Sequence, residues 1–259
     1  MKALKDTKVR NSERQSSSKH YDMIVFSHLR WQFVYQRPQH IISRMAQQLN
    51  VLMVEEPIHP NEGEENTSNL IIVAPTLHIL QPRVKDIEEI GTILQDYIPE
   101  GHIQIGWFYS ASFVPVLESM IFNKIIYDCM DELSLFKGAP QQLIDQEKFL
   151  MANADIVFTG GKSLYESKKK MHSNVYCFPS SVDEPHFAQA RNGIALPDDI
   201  VQIKWPIVGY FGVIDERIDL DLIRKCAHIL PDVSFVMIGP LAKIDETDLP
   251  MEHNIHFWE

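Results

Sequence analysis

From Tyr21 onward, short apolar runs alternate with longer stretches whose apolar residues recur at helical spacing, and this alternation constrains the fold more than any other feature of the chain. It is how βαβ units look in sequence. Crossover helices cover both faces of a parallel sheet, so its strands read as apolar throughout, while each helix needs only one apolar stripe. The first strand is predicted over 23–27, followed by a helix from Pro38 to Leu49 with Ile41, Ile42, Met45 and Leu49 on one face and proline in its first turn. Val51–Val54 is the next strand, and the acidic loop from Asn61 to Asn69 leads to strands near 70–73 and 77–80, read as a hairpin at the sheet edge. A helix near 86–97, a strand at 103–108, a helix at 111–120 and a strand at 124–128 follow. After a loop at 129–138 come a helix through Asn153, a strand at 156–158, a helix at 162–171 and a strand at 175–178.

These elements predict an α/β chain whose residues 21–188 form a Rossmann-like domain. A polar segment, 189–203, separates it from a strand at 206–212, a helix at 217–229 and strands at 234–239 and 255–257. So few strands leave an apolar face and open edges, so 189–259 is expected to be a linker and an incomplete second Rossmann-like domain. Residues 1–20 are Lys-, Arg- and Ser-rich without periodicity and are expected to be a disordered tail. A solvated leader is the plainer reading of their basic character, a membrane-surface contact the alternative.

The 259 residues carry a formal charge of -11, which argues against nucleic acid as a partner because phosphate binding needs a concentrated basic face. Cys129, Cys177 and Cys226 are widely spaced and set mostly in apolar runs, as buried thiols of a reducing compartment would be, and no metal-ligand spacing occurs. No apolar run approaches about 18 residues and no secretory signal is evident, so a cytoplasmic protein is expected.

The turn after the first strand is where a dinucleotide-binding fold would place a glycine fingerprint. Here it holds His28, Arg30, Trp31, Tyr35, Arg37 and His40, groups suited to stacking and to hydrogen bonding. Arg37 stands directly before Pro38 at a helix start, where an anion is favoured; the alternative is that Arg37 pairs with a carboxylate while Trp31 and Tyr35 pack beside the turn. Gly160, Gly161 and Lys162 open a helix after another strand and offer backbone N–H groups to an anion, or simply make a tight turn with Ser163 near the helix cap. Lys168, Lys169 and Lys170 end that helix and read as a solvated run.

The order of motifs resembles GT-B glycosyltransferases, in the bacterial group that includes teichuronic-acid and other surface-polysaccharide transferases. The resemblance is carried by Tyr35-Gln36-Arg37-Pro38-Gln39-His40, Ile126-Tyr127-Asp128-Cys129-Met130-Asp131-Glu132, the stretch Ala154 to Leu164, and Pro179-Ser180-Ser181-Val182-Asp183 with Phe187. Gly209-Tyr210-Phe211-Gly212 and Ile238-Gly239-Pro240 extend it into the second domain.

The resemblance implies a nucleotide-sugar donor lying mostly against the C-terminal domain, a glycan or lipid-linked acceptor on the N-terminal one, and no metal or other cofactor. Asp128, Asp131 and His28 become the catalytic candidates, since inverting transfer needs a carboxylate or histidine to deprotonate the acceptor hydroxyl, whereas retaining transfer needs instead a charge-stabilising face. Each has a plainer reading: a structural hydrogen bond for Asp128 and His28, a helix-capping pair on a surface loop for Asp131 and Glu132. Arg30, Trp31, Arg37, His40, Glu132, Gly160, Gly161 and Lys162 are candidate substrate contacts. Gly212, Arg217 and Lys243 are the candidates for the donor diphosphate, although Asp215 and Glu216 precede Arg217 and would repel phosphates unless they point away. Asp219 and Asp221 fall inside a helical pattern and read as a surface face. Because the segment that related enzymes use to hold the donor is expected beyond Glu259, two further readings stand beside the enzyme: a non-catalytic sugar- or nucleotide-binding half, and a domain docked on a partner chain. Peripheral membrane association at the inner face goes with a lipid-linked acceptor.

Overall fold

A computed structural model of the chain describes residues 20–61, 63–132 and 140–258, so most of the expected N-terminal tail and the end of the 129–138 loop lie outside the described residues. The chain divides into two compact units, one through Ser181 and the other Val182–Glu259.

The first unit is a doubly wound sheet. Its elements are β1 (Met23–Ser27), α1 (Arg37–Met45), β2 (Val51–Glu55), β3 (Thr67–Ala74), β4 (Leu77–Arg83), α2 (Ile90–Gln95), β5 (His102–Phe108), β6 (Ile121–Cys129), α3 (Gln141–Asn153), β7 (Ile156–Thr159), α4 (Lys162–Lys168) and β8 (Val175–Cys177). The eight strands lie in the order β3-β4-β2-β1-β5-β6-β7-β8, all parallel except the antiparallel edge hairpin β3–β4. Side chains alternate between two cores, as strand geometry requires. Ile24, Phe26, Leu52 and Val54 face the layer built with Ile90, Leu94, Leu150 and Met151, whereas Met23, Val25, Val51 and Met53 face Ile42 of α1 and Ala46, which caps it. Every residue of β1 and β2 is buried, which is why both read as apolar runs up to their last residues, Ser27 and Glu55.

Several boundaries differ from the sequence reading, each for a local reason. The helix expected at 111–120 is a 3-10 helix, Ala111–Glu118, because Pro115 inside it lacks an N–H and disfavours α-helical bonding. The segment near 86–97 is likewise divided, into a 3-10 turn at Ile87–Glu89 and α2. β6 begins at Ile121 rather than Lys124, its exposed first half paired with β5 from His102↔Ile121 onward. Both α1 and α4 stop three to four residues early, in turns. Of the cysteines only Cys129 is buried; Cys177 and Cys226 are half-exposed.

The second unit opens with short helical turns, α5 (Glu184–Phe187), a 3-10 stretch Ala188–Asn192 and α6 (Asp198–Val201), which begin before the polar segment and run into it. Then come β9 (Ile207–Phe211), α7 (Leu220–Ile229), β10 (Ser234–Ile238) and β11 (Ile255–Trp258), a parallel sheet in the order β11-β10-β9. α7 starts at Leu220 instead of 217 because Asp219 Oδ1 accepts from the Leu222 amide and caps it. Asp219 is therefore a cap and not part of the helix surface. Ile214, Ala227, Phe235, Met237 and Ile255 form this unit's core.

Candidate active site

Parallel register brings the carboxyl ends of the central strands of the first unit level. Ser27 pairs with Glu55, Phe108 with Tyr127, and Cys129 with Thr159, so the residues that follow project from one edge of the sheet. Ligands of open α/β sheets bind at this edge.

Most of the polar loop after β1 is turned inward to hold itself. The buried Glu55 carboxylate accepts the Trp31 amide at 2.7 Å through Oε1, and through Oε2 the Arg30 guanidinium at 3.1 Å and the Gln81 amide at 2.9 Å. Arg30 also donates to the Glu56 carbonyl at 2.6 Å. Gln39, fully buried, donates to the Val34 carbonyl at 3.0 Å while its Oε1 accepts the Gln36 amide at 3.0 Å. The Trp31 ring packs on the α1-side core, and Tyr35 is half-exposed with its ring edge-on to His40 at 4.5 Å. Arg30, Trp31 and His40 thus have structural partners, while Phe33 and Tyr35 are exposed.

Arg37 takes the carboxylate partner. Its Nε and Nη2 reach Asp128 Oδ2 and Oδ1 at 3.2 and 3.0 Å, and Nη1 donates to the Phe178 carbonyl at 2.7 Å. The fork closes over a carboxylate that is completely buried. Burial raises the Asp128 pKa, with the Arg37 guanidinium pulling the other way. Tyr109 shares this corner: burial, and then the Asp128 charge, push its phenol well above the ordinary range, so it is a neutral hydroxyl. Asp128 is consequently a carboxyl already engaged by Arg37.

His28 lies outside this ion pair. It is half-buried at the end of β1, and burial lowers its pKa while the carboxylates of Glu56 and Asp131 draw it back up. It is therefore a mostly neutral imidazole at pH 7, with two carboxylates near enough to steady an imidazolium once formed. Asp131 is exposed on the strand-end loop. Glu132, next to it, reaches away to Lys168 at 2.7 Å. The Gly160 amide is spent on the Cys129 carbonyl at 3.0 Å, Gly161 caps α4, and Lys162 is exposed. Lys168 is not solvated as its place in the run Lys168–Lys170 suggests; it is 1 % exposed. Glu55, Glu56 and Tyr109 lie at this edge and were not singled out by sequence, and Gln39 entered only as part of the Tyr35–His40 motif. Glu55 alone carried a signal, as an acid ending a wholly apolar strand.

In the second unit Gly212 and Gly239 end β9 and β10, and Arg217 and Lys243 lie in the loops that follow. Both acids point toward these cations. Arg217 Nη2 pairs with Asp215 Oδ2 at 2.6 Å, holding the Asp215 carboxyl below its ordinary value, and Lys243 pairs with Glu216 Oε1 at 3.3 Å. Among the described residues no group of three or more His, Cys, Asp or Glu is placed to hold a metal ion, and no helix is long and apolar enough to cross a membrane.

A doubly wound first unit followed by a parallel α/β second unit is the GT-B fold of glycosyltransferases. Solved structures share it. The α,α-trehalose-phosphate synthase (UDP-forming) of Burkholderia vietnamiensis matches with a TM-score of 0.60 at 10% identity, over 92% of this chain and 72% of that one. An E. coli trehalose-6-phosphate protein bound with UDP-2-fluoro glucose matches at 0.56 and 11% identity, over 88% and 66%. The catalytic domain of starch synthase IV from Arabidopsis thaliana, bound to ADP and acarbose, matches at 0.55 and 9% identity, over 93% and 74%. The chain thus spans about two-thirds to three-quarters of the length of these structures. No protein-family model and no curated protein sequence matches it.

Proposed function

We propose that the chain is a glycosyltransferase that moves a sugar from a nucleotide-sugar donor to a hydroxyl of a glycan or lipid-linked acceptor in surface-polysaccharide synthesis. The observation that carries this reading is His28, a mostly neutral imidazole flanked by Glu56 and Asp131 at the carboxyl edge of a GT-B sheet. His28 takes the proton of the acceptor hydroxyl; the acceptor oxygen bonds to the sugar's anomeric carbon as that carbon's bond to phosphate breaks, and the nucleoside diphosphate leaves with the electron pair. Asp131 and Glu56 stabilise the imidazolium. Arg37 and Asp128 hold α1 and β6 in place around the site. On the second unit Gly212, Arg217 and Lys243 meet the donor diphosphate, which competes with Asp215 and Glu216 for the two cations. A lipid-linked acceptor would bring the protein to the inner face of the membrane from the cytoplasm.

The two-pronged pairing of Asp128 with Arg37 also favours a second reading, nucleotide binding without turnover, because a buried carboxylate engaged in this way is not available as a base. Assaying the purified chain with UDP-, ADP- and GDP-sugars, following transfer and donor hydrolysis alongside calorimetric titration of each nucleotide, separates the two. Turnover that His28→Ala abolishes supports the enzyme; binding without turnover supports the second reading; neither binding nor turnover defeats both.

A further inference from the structure

On the sheet face opposite α1, a lysine is buried where the chain could have used an apolar residue. Lys168, the last residue of α4, places Nζ 2.7 Å from Glu132 Oε1 and 3.0 Å from Glu147 Oε1, and the Tyr127 hydroxyl donates to the same Glu147 oxygen at 2.8 Å. Burial works against the lysine's charge, but its hydrogen bonds to Glu132 and Glu147 outweigh it and raise the pKa, so it stays a cation. Such networks add little stability over a well-packed apolar core; what they supply is a fixed geometry. The geometry fixed here is that of the loop leaving β6. The Cys129 thiol donates to the Asp131 carbonyl at 3.3 Å, and Lys168 grips the next residue, Glu132, by its carboxylate. The Asp131 backbone is therefore held at its own carbonyl and, through Glu132, at the residue after it.

We propose that Lys168 is a positioning residue: by clamping Glu132 to α4 it fixes the strand-end loop so that the Asp131 carboxylate faces His28. Lys168 acts on the loop through its contact with Glu132. The inference rests on the reading of His28 and Asp131 as the reacting edge of the site.

The test is an NMR titration of the His28 ring in the full chain without any nucleotide sugar, its resonance assigned by its loss in His28→Gln. Asp131→Asn should lower the His28 pKa. Lys168→Met should lower it as well, whereas the mere removal of a nearby cation could only raise it, so the sign of the shift separates positioning from direct electrostatics. Lys168→Arg should restore the original value, and Lys168→Met added to Asp131→Asn should produce no further fall. Should Lys168→Met fail to fold, Glu132→Gln, which leaves Lys168 paired with Glu147, should lower the pKa in the parent and leave it unchanged in the Asp131→Asn background. An unchanged or raised His28 pKa in Lys168→Met, or a fall in the Glu132 or Lys168 variant that persists without Asp131, overturns the proposal. Because the readout involves no sugar transfer, a chain that turns over nothing can still pass it, and an active one can still fail it.

Discussion

Arg37 and Asp128 stand 91 positions apart in the chain and meet as a two-pronged ion pair at the carboxyl edge of the first sheet, with the carboxylate sealed from solvent. Breaking such a pair on one side leaves an uncompensated buried charge. Arg37→Met should therefore destabilise the first unit by about 3–5 kcal/mol at pH 7. The pH dependence has a definite sign. Burial already raises Asp128 above its unfolded value, so its contribution to stability falls as pH climbs through that raised pKa, and removing Arg37 raises it further. The gap between parent and variant should widen toward neutral pH and close toward acid, where Asp128 is protonated. Urea unfolding at several pH values measures this, and a gap that does not depend on pH would mean the pair is not holding a charge.

The lowered pKa of His28 sets the second expectation. If its neutral form is the base, kcat/KM should rise with pH through a value below the ordinary 6.5 of histidine and level off above it. Asp131→Asn, which removes one of the two carboxylates that draw this pKa up, should move the rising limb to lower pH. His28→Ala should cost about 10²–10⁴-fold in kcat. A rising limb that stays in place in Asp131→Asn would separate the two residues functionally.

Glu55 is expected to organise the loop and not to react. Replacing it with leucine strands the Trp31 amide and frees an Arg30 head that is already one-third exposed, so the cost should be about 1–3 kcal/mol, most of it from the amide. Hydrogen exchange should show the effect locally: faster exchange over residues 28–36, with the β1 and β5 amides unchanged. Uniformly faster exchange through both strands would mean that Glu55 supports the sheet itself.

What the sequence displayed depended on how directly burial writes itself into residue type. β1 and β2 were legible because both faces of a central parallel strand are covered, leaving only their last residues, Ser27 and Glu55, polar. The first half of β6 was invisible because its residues are exposed, and only pairing with β5 makes them a strand. Arg37 offered two partners, an anionic ligand or a carboxylate; which one it takes is decided by a contact between α1 and the distant strand β6 that no local pattern encodes. Lys168 was misjudged because three lysines in a row suggest a solvated end. The helical spacing held a correction: Leu164, one turn earlier on the same face, packs against the core, and so must Lys168. The same logic applied to Glu147, which sits between the core-facing Leu143 and Leu150 of α3.

The second unit makes its own test through two glycines. Gly212 and Gly239 close β9 and β10 with φ of 149° and 142°, values that side-chain-bearing residues rarely adopt, and the Gly212 amide donates to the Ile238 carbonyl at 2.9 Å. A Cβ on Gly239 would fall 1.9 Å from the Gly212 carbonyl oxygen, a backbone atom that cannot swing aside, whereas a Cβ on Gly212 would meet only the Tyr210 hydroxyl at 3.0 Å. Gly239→Ala should therefore combine the backbone penalty of about 1–3 kcal/mol with an overpacking cost of about 1–3 kcal/mol. Gly212→Ala should show little beyond the first. Because the forced separation falls where the Gly212 turn is proposed to meet a diphosphate, Gly239→Ala should also weaken nucleotide binding more than Gly212→Ala does. Thermal unfolding followed by Trp205 and Trp258 fluorescence, with nucleotide titrations at a temperature where both variants remain folded, compares them. Equal losses of stability would show that the two strand ends are not in contact through these glycines.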